Sequence, residues 1–369
     1  MNSLYVGLMS GTSMDGIDAA LVEFGDRQCR VIAARRHEYP DDLRYALIAA
    51  SREPEQCTAD TVGNLDNWVG ETFRDAALHL IDDALNNAER IVAIGSHGQT
   101  LRHQPRADRP YTMQIGDPNI IAAGTGITTI ADFRRRDLAL GGEGAPLLPP
   151  FHQWLFSDTE VNRVVVNIGG IANITILRAG RDDVTGFDTG PGNTLLDAWI
   201  QTNKGEKFDK DGNWAASGKI SPDLLEIMLA DPYFDLPPPK STGFEYFNLM
   251  WLRQALAEVD DLDVADVQAT LCAFTARSIA DAINEHAPRT GELLVCGGGI
   301  DNSELIRWLG TAVPKAKIHS TADFGLEPDW VEAAAFAWLA KRCLDRQPGN
   351  VPGVTGAREP AILGAVYWA

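Results

Sequence analysis

Short runs of apolar residues dominate the first part of the chain and are typical of β-strands. The runs from Leu4 to Met9, Ile17 to Phe24 and Cys29 to Ala34 are separated by turns of glycine and small polar residues. This pattern predicts an antiparallel meander. Two stretches with helical periodicity follow, from Asp41 to Ser51 and from Thr58 to Asn87.

The next predicted strands are short and end at polar residues. They run from Ile91 to Ser96, from Thr112 to Ile115 and from Ile127 to Ala131. The first leads into the polar turn His97-Gly98-Gln99-Thr100, and the last into Asp132-Phe133-Arg134-Arg135-Arg136-Asp137. Ligand contacts in open α/β domains lie at the carboxyl ends of strands, so both segments are candidates for substrate binding.

The middle of the chain repeats the opening in outline. A β-branched strand from Arg163 to Asn167, a glycine turn and a returning strand from Ile171 to Leu177 resemble the first hairpin. One further strand is predicted from Leu293 to Cys296. The predicted helices of this half are Asn193 to Asn203, Pro222 to Leu229, Leu249 to Val259, Val264 to His286, Ser303 to Leu309 and Val331 to Leu344. Strands alternating with helices in both halves predict an α/β protein of two related domains with a cleft between them.

Composition narrows the class of protein. The 369 residues allow two domains, and a net charge of -19 argues against a nucleic-acid or anionic-membrane surface. The start of the chain lacks a basic segment, and no apolar run approaches the ~18 residues that a membrane span needs. The five cysteines are scattered without a C-x-x-C pair, so we expect reduced thiols and a cytoplasmic protein.

Three glycine turns, each after a predicted strand, are the candidates for phosphate binding. The P-loop pattern, the dinucleotide G-x-G-x-x-G pattern and the protein-kinase signatures are absent. The turns that remain are Gly11 to Gly16, Gly169-Gly170 and Gly297 to Gly299. Backbone N-H groups in such turns can approach an anion closely, and three turns at matching strand ends favour nucleotide binding.

The first of these turns also carries polar side chains. Thr12 and Ser13 add hydroxyl donors, and Asp15 and Asp18 are candidates to hold Mg²⁺ through water. The alternative is that Asp15 and Gly16 only form a tight hairpin turn.

Asp188 is the candidate catalytic residue. It lies in Gly186-Phe187-Asp188-Thr189-Gly190-Pro191-Gly192-Asn193, at a strand end before a predicted helix. Flanking glycine and proline impose an unusual backbone path, which suits a general base aimed at a substrate. The alternative is an N-cap or Asx-turn aspartate.

Candidate substrate contacts follow the two polar segments named above. His97, Gly98 and Gln99 follow one strand, with a structural role for the histidine as the alternative. Of the arginines 134–136, which follow another strand, one or two are expected to bind an anionic group and the rest to pair with nearby acids; the alternative is a solvated turn. Glu332 either points toward the substrate or only interacts favourably with the dipole of its helix, as an acidic residue in the first turn. No histidine has zinc-ligand spacing, and no G-x-S-x-G elbow indicates a serine hydrolase.

These segments together resemble the anhydro-N-acetylmuramic acid kinases, a family of the sugar kinase, Hsp70 and actin superfamily. The similarity covers essentially the whole chain, with Met14 in place of the usual leucine. The segments that carry it are Gly7 to Gly16, Ile94 to Thr100, Ala131 to Asp137, Val166-Asn167-Ile168-Gly169-Gly170, Gly186 to Asn193, Pro239-Lys240-Ser241-Thr242-Gly243 and Val295 to Gly299.

The resemblance implies two duplicated actin-like, ribonuclease H-like domains that close on ATP-Mg²⁺ and a sugar. One domain would comprise residues 1–130 and 345–369, and the other residues 131–344. The residues implied to bind ATP are Gly11, Thr12, Ser13, Met14, Asp15, Gly16, Ile17, Asp18, Asn167, Gly169, Gly170, Gly297, Gly298 and Gly299. Those implied to bind the sugar are His97, Gly98, Gln99, Arg134, Arg135, Asp137 and Glu332.

The implied reaction opens 1,6-anhydro-N-acetylmuramic acid and phosphorylates it in cell-wall recycling. Asp188 would deprotonate a water that attacks the anomeric carbon, while the freed O6 takes the γ-phosphoryl group. The resemblance also implies a homodimer. Two rivals stay open: an ordinary sugar kinase whose base deprotonates a sugar hydroxyl, and a non-catalytic nucleotide-dependent sensor of actin type.

Overall fold

The computed structural model describes residues 3–11, 14–53, 55, 57–84 and 91–369. The chain divides into two compact units, one of Met1–Leu155 with Asp329–Ala369 and one of Phe156–Pro328. The predictions for Thr12, Ser13 and the helix end at Asn87 lie outside the described residues.

Strands and helices alternate along both units. The first part of the chain contains β1 (Leu4–Met9), β2 (Gly16–Gly25), β3 (Gln28–Glu38), α1 (Asp41–Arg52), α2 (Ala59–Asp83), β4 (Ile91–Ser96), β5 (Gln99–Gln104), β6 (Tyr111–Ile115), α3 (Pro118–Thr125), β7 (Thr129–Ala131), α4 (Arg135–Ala139) and α5 (Pro149–Phe156). The middle contains β8 (Arg163–Ile168), β9 (Ile171–Leu177), β10 (Val184–Pro191), α6 (Thr194–Lys204), α7 (Asn213–Ser217), α8 (Pro222–Leu229), α9 (Leu249–Leu256), α10 (Val264–His286), β11 (Glu292–Cys296), α11 (Ser303–Ala312) and β12 (Lys317–Ser320). The chain ends with α12 (Val331–Leu344), α13 (Pro352–Thr355) and β13 (Ala365–Tyr367).

The two units contain sheets of the same topology. In the first unit β3, β2 and β1 form the antiparallel meander, and β4 and then β7 continue the sheet in parallel, with β13 at the edge. In the second unit β10, β9 and β8 form the meander, and β11 and then β12 continue it in parallel. A shared order of three antiparallel and two parallel strands confirms the predicted α/β class with two related, ribonuclease H-like domains.

Helices cover both faces of the first sheet, which explains why all of β1 is buried. Val6 and Leu8 pack in one cluster with Phe73 of α2. Gly7 and the neighbouring Gly95 of β4 face α12 instead, because strand side chains alternate between the faces. A Cβ on Gly7 would lie 1.8 Å from the carbonyl oxygen of Ala333, so these two glycines allow helix and sheet backbones to touch.

The second unit has its own core. β8 contributes Val164 and Val166, which pack with Leu271 and Phe274 of α10 in one buried cluster. Asp263 caps α10, its side chain accepting a hydrogen bond from the backbone N-H of Ala265. Among the described helices, none combines the length and hydrophobicity needed to cross a bilayer.

The division of the chain differs from the one expected from sequence at both boundaries. Residues 131–155 and 329–344, expected in the second domain, belong to the first unit. The reason is physical: β7 continues the first sheet beside β4, and α12 packs its backbone directly against that sheet. A helix whose apolar face is matched to a sheet stays with that sheet, wherever it falls in the sequence.

A buried histidine gives the first unit a defined response to acid. Burial lowers the pKa of His152 from its ordinary 6.5 to about 3. The unfolded chain takes up a proton here below about pH 6.5 while the folded chain does not, so acid favours unfolding.

We therefore expect His152→Phe to lose part of this acid sensitivity. Between about pH 6.5 and pH 5, the free energy of unfolding should fall by about 2 kcal/mol more in the parent than in the variant. Urea denaturation of both proteins across this range measures the difference. A difference that stays constant with pH would contradict the prediction.

Candidate active site

Asp188 lies in β10 beside a β-bulge. The pairing of β10 with β9 shifts register between Asp188 and Gly190, which leaves Thr189 as the extra residue. The hydroxyl of Thr189 donates to the carbonyl oxygen of Ala172 at 3.2 Å. Gly190 has φ of 142°, a conformation that residues with a Cβ rarely adopt, so glycine here is required by the bulge. A bulge changes the direction of the side chains next to it. In β10 one of these side chains is that of Asp188, the candidate base.

Three hydrogen bonds from one neighbouring segment hold Asp188. The carboxylate Oδ2 accepts the backbone N-H of Thr242 at 3.0 Å. The backbone N-H of Asp188 donates to the carbonyl oxygen of Lys240 at 3.1 Å, and its own carbonyl oxygen accepts the Tyr233 hydroxyl at 2.6 Å. Asp188 is half-buried. Asp188 is not a helix N-cap, because it lies inside β10. The next helix, α6, begins at Thr194 and has Asn193 as its N-cap.

Strand register places Asp188 in one row with polar residues of the same sheet. Asp188 pairs with Asn173 of β9, Asn173 pairs with Asn167 of β8, and Asn167 pairs with Cys296 of β11. Asp188 and Asn167 are therefore two strands apart, about 10 Å. Sequence reasoning missed Asn173, whose only signal was a polar residue inside an apolar strand.

The two glycine turns of the second unit meet at this edge of the sheet. Gly169-Gly170 follows β8 and Gly297 to Gly299 follows its parallel neighbour β11. Gly297 has φ of 77°, and a Cβ there would lie 2.5 Å from Oδ1 of Asn167. Gly170 and Gly298 are exposed. Glycine turns whose surface is free of side chains are suited to hold phosphate oxygens by backbone N-H groups.

In the first unit, the turn after β1 is tied down by buried polar groups. The Ser10 hydroxyl donates to the carbonyl oxygen of Gly16 at 2.8 Å, and the amide of Gln99 donates to the carbonyl oxygen of Gly11 at 3.1 Å. Met14 and Ile17 belong to the hydrophobic core. The side chains of these two residues are used in the core, so the predicted contact with a nucleotide is left to their backbone.

Asp15 and Asp18, the candidate magnesium residues, face Arg36. Nε of Arg36 lies 3.0 Å from Asp18, and its Nη2 lies 3.8 Å from Asp15. Burial raises the pKa of Asp18 to about 6 in spite of Arg36, with Asp15 and Asp329 raising it further. More negative charge is present than Arg36 neutralises, which suits a hydrated cation. The described residues contain no group of three ligand side chains, so any ion here keeps water ligands.

His97 is held as a neutral imidazole. It is buried, and its Nε2 accepts from the guanidinium of Arg134, with nitrogen distances of 2.9 and 3.1 Å. Burial first, and Arg134 second, lower the pKa of His97 well below its ordinary value. Arg134 also donates to the carbonyl oxygen of Gly144 at 2.8 Å. Arg134 thus fixes the orientation of the His97 ring through Nε2.

A cavity of about 370 Å³ opens beside His97 in the first unit. It lies at the carboxyl ends of β4 and β7 and at the start of α3, and Arg135 provides a cation in its wall. Besides Arg135, the polar side chains that line it, together with the backbone of Gly98, are Asp66, Ser96, His97, Gln114, Asp117, Asn119, Asp132 and Tyr367. The structure thus brings together His97, Gly98 and Arg135, three of the residues predicted to bind substrate. Glu332, half-buried in the first turn of α12, is not part of the described lining.

Two other predicted substrate contacts are internal. The amide of Gln99 is fully buried; its oxygen lies 2.8 Å from the Ser10 hydroxyl and accepts from Tyr39 at 3.3 Å. Asp137 is also fully buried; its carboxylate accepts from Gly144 at 2.8 Å, Asn350 at 2.6 Å and Thr355 at 2.7 Å. Both side chains use their hydrogen-bonding atoms to join segments of the first unit, which corrects the expectation that they contact substrate.

Replacing Asp137 tests this structural role. Asp137→Ala leaves three buried hydrogen-bond donors without their acceptor, so we expect the free energy of unfolding to fall by about 3 kcal/mol. Chemical denaturation measures the loss, with the exposed Asp108→Ala as control. A loss below about 1 kcal/mol, within the range of surface substitutions, would contradict the internal role.

Comparison with known proteins places the chain in a family. Residues 3–369 match the family model described as anhydro-N-acetylmuramic acid kinase. A relative of that name from Coxiella burnetii is 50% identical over 365 residues, which cover 99% of this chain and 97% of the relative. Relatives of the same name from Xanthomonas campestris and a Shewanella species are each 52% identical, over 99% of this chain and 97% and 98% of their own lengths. The chain therefore belongs to the anhydro-N-acetylmuramic acid kinase family.

Proposed function

We propose that this kinase uses ATP and water to convert 1,6-anhydro-N-acetylmuramic acid into N-acetylmuramic acid 6-phosphate and ADP, in the recycling of cell-wall peptidoglycan. Family membership supports the phosphotransferase activity, with ATP as the donor. The mechanism rests on the cross-strand row that runs from Asp188 through Asn173 to Asn167. Asn167 lies beside the two glycine turns that follow β8 and β11. A carboxylate and a phosphate-binding edge within about 10 Å form a suitable pair for phosphoryl transfer.

In the proposed reaction, Asp188 is the general base. Its carboxylate takes a proton from water as the water oxygen bonds to the anomeric carbon of the sugar. The bond between that carbon and O6 breaks, and O6 forms a bond to the γ-phosphorus of ATP as ADP leaves. Asp188 then releases its proton to solvent. Positioned proton transfer of this kind contributes about 10²- to 10⁴-fold to rate.

The glycine turns are proposed to bind the nucleotide. Gly169-Gly170 and Gly297 to Gly299 would donate backbone N-H groups to it, and the backbone from Gly11 to Asp18 would do the same in the first unit. Asp15 and Asp18 would hold Mg²⁺ through its water ligands. The ion would neutralise charge on the transferred phosphoryl group.

The cavity beside His97 is proposed as the sugar site. Its polar lining fits a ligand with hydroxyl and amide groups, and Arg135 fits an anionic lactyl group. Arg135 also pairs with Asp132 at 3.5 Å, so a carboxylate ligand would compete with that residue. Arg134 would act through His97. Glu332 remains a proposed contact by its place in the first turn of α12.

We further propose that the enzyme works as a cytoplasmic homodimer. All five cysteines are free thiols, which agrees with a reducing compartment. The homodimer rests on the resemblance to the family.

The origin of the anomeric oxygen tests the mechanism. In oxygen-18 water we expect one labelled oxygen in the C1 hydroxyl of the product, measured by mass spectrometry immediately after turnover. Product incubated alone in the same water controls for spontaneous exchange at C1. Label no higher than in this control would contradict attack by water.

Acceptor choice provides a second arm. If reducing N-acetylmuramic acid were phosphorylated as fast as the anhydro sugar, the enzyme would be an ordinary sugar kinase whose base acts on a hydroxyl. We expect turnover only with the anhydro sugar. In the proposed reaction the base acts on water, and O6 becomes the acceptor only as the anhydro bridge opens.

A further inference from the structure

Lys240 is a buried lysine whose ammonium group is used inside the protein. The residue is 7% exposed, and Nζ donates to the carbonyl oxygens of Tyr233 at 3.2 Å and Phe234 at 3.1 Å. Nζ also lies 4.7 Å from the ring centroid of Tyr233. Burial lowers the pKa of Lys240, and Glu285 and Asp235 oppose this shift. An ammonium with two carbonyl acceptors and an aromatic ring is well compensated for its burial.

The groups that Lys240 joins are those that hold Asp188. Tyr233, at one end of the segment, donates its hydroxyl to the carbonyl oxygen of Asp188. Lys240 and Thr242, at the other end, bind the backbone N-H and the carboxylate of Asp188. The Lys240 side chain thus connects the two ends of the segment 233–242, which we call the base clamp.

The middle of the base clamp offers few backbone hydrogen-bond donors. Residues 237–239 are three consecutive prolines, which have no backbone N-H to donate. Leu236 donates its N-H to Tyr233 and so closes only the first turn. The charged hydrogen bonds from the Lys240 ammonium therefore join the far end of the segment directly to its first turn.

We infer that Lys240 is a positioning residue: by closing the base clamp, its ammonium sets the orientation of the Asp188 carboxylate. Lys240 touches no reacting atom in this scheme and acts only through Asp188. The inference rests on the proposed role of Asp188 as base. A displacement of about 1 Å in a catalytic group can cost 10²-fold in rate, and this is the size of effect expected.

The test compares Lys240→Met, which keeps the side-chain length without the charge, with Lys240→Arg, which keeps the charge. We expect Lys240→Met to lower kcat by about 10²-fold while the KM for ATP changes less than about twofold. Lys240→Arg should recover part of the loss. Lys315→Met, at an exposed turn of the same unit, is the matched control and should be unchanged. Equal kcat in Lys240→Met and the parent would overturn the inference.

A double-variant cycle separates positioning from general damage to the fold. In an Asp188→Asn background, Lys240→Met should cause no further loss of the residual turnover, because the group it positions is already disabled. An additional loss of about 10²-fold would show that Lys240 acts elsewhere. If Lys240→Met does not fold, Lys240→Gln replaces it in the same cycle, since its amide removes the charge and can still donate to a carbonyl oxygen. If Asp188→Asn alone keeps full turnover, the proposed base is wrong, whatever Lys240 does.

Discussion

Asp188→Asn is expected to lower kcat by about 10³-fold or more, the upper part of the range for a general base. The amide has the shape of the carboxylate, and its oxygen can still accept the N-H of Thr242. It cannot take a proton from water. Ring opening and phosphorylation should therefore be lost together, while ADP binding, measured by calorimetry, should stay within about twofold.

Asp183→Asn is the matched control for this experiment. Asp183 precedes the same strand and is exposed, pairing only with surface arginines Arg178 and Arg181 among its described ion pairs. Its replacement should leave kcat unchanged. Substantial turnover by Asp188→Asn, with Asp183→Asn also active, would remove Asp188 from the mechanism.

Much of the fold could be predicted from apolar spacing because many elements have their own buried face. The bounds of β1, β4, α8, α10 and α12 agree with those predicted. Elements that depend on a distant partner were missed. β5 begins at Gln99, where a polar turn was expected, because Gln99 pairs with Ile115 of β6. β12 has no fully buried residue and is a strand only through its pairing with β11.

The site was predictable only as far as residue type and local order reveal it. Asp188 and the glycine turns follow from short motifs, since bulges and tight turns require glycine at particular positions. Asp137 was misassigned because its partners, Asn350 and Thr355, lie more than 200 residues away in the chain. Lys240 lies within one of the motifs that carry the family resemblance, but its role depends on backbone carbonyl groups that carry no sequence signal.

Gly7→Ala is expected to destabilise the first unit by about 4 kcal/mol, at the upper end of the effects of overpacking. The new methyl would lie 1.8 Å from the carbonyl oxygen of Ala333 and 2.8 Å from the backbone nitrogen of Ala337. Both are backbone atoms of α12, so no side chain can rotate away. The helix must separate from β1, and contacts along both elements are lost. Gly95→Ala should behave similarly, because its methyl would lie 2.1 Å from the carbonyl oxygen of Phe336.

Gly63→Ala provides the opposite control for Gly7→Ala within the same unit. Gly63 lies inside α2, and a Cβ there would meet no atom within 4 Å. Alanine favours helix over glycine, so this variant should gain about 0.5 to 1 kcal/mol. Urea denaturation of both variants measures the contrast. If Gly7→Ala were as stable as the parent protein, α12 could not rest on β1 through backbone contact, and the observed assignment of residues 329–344 to the first unit would lose its physical reason.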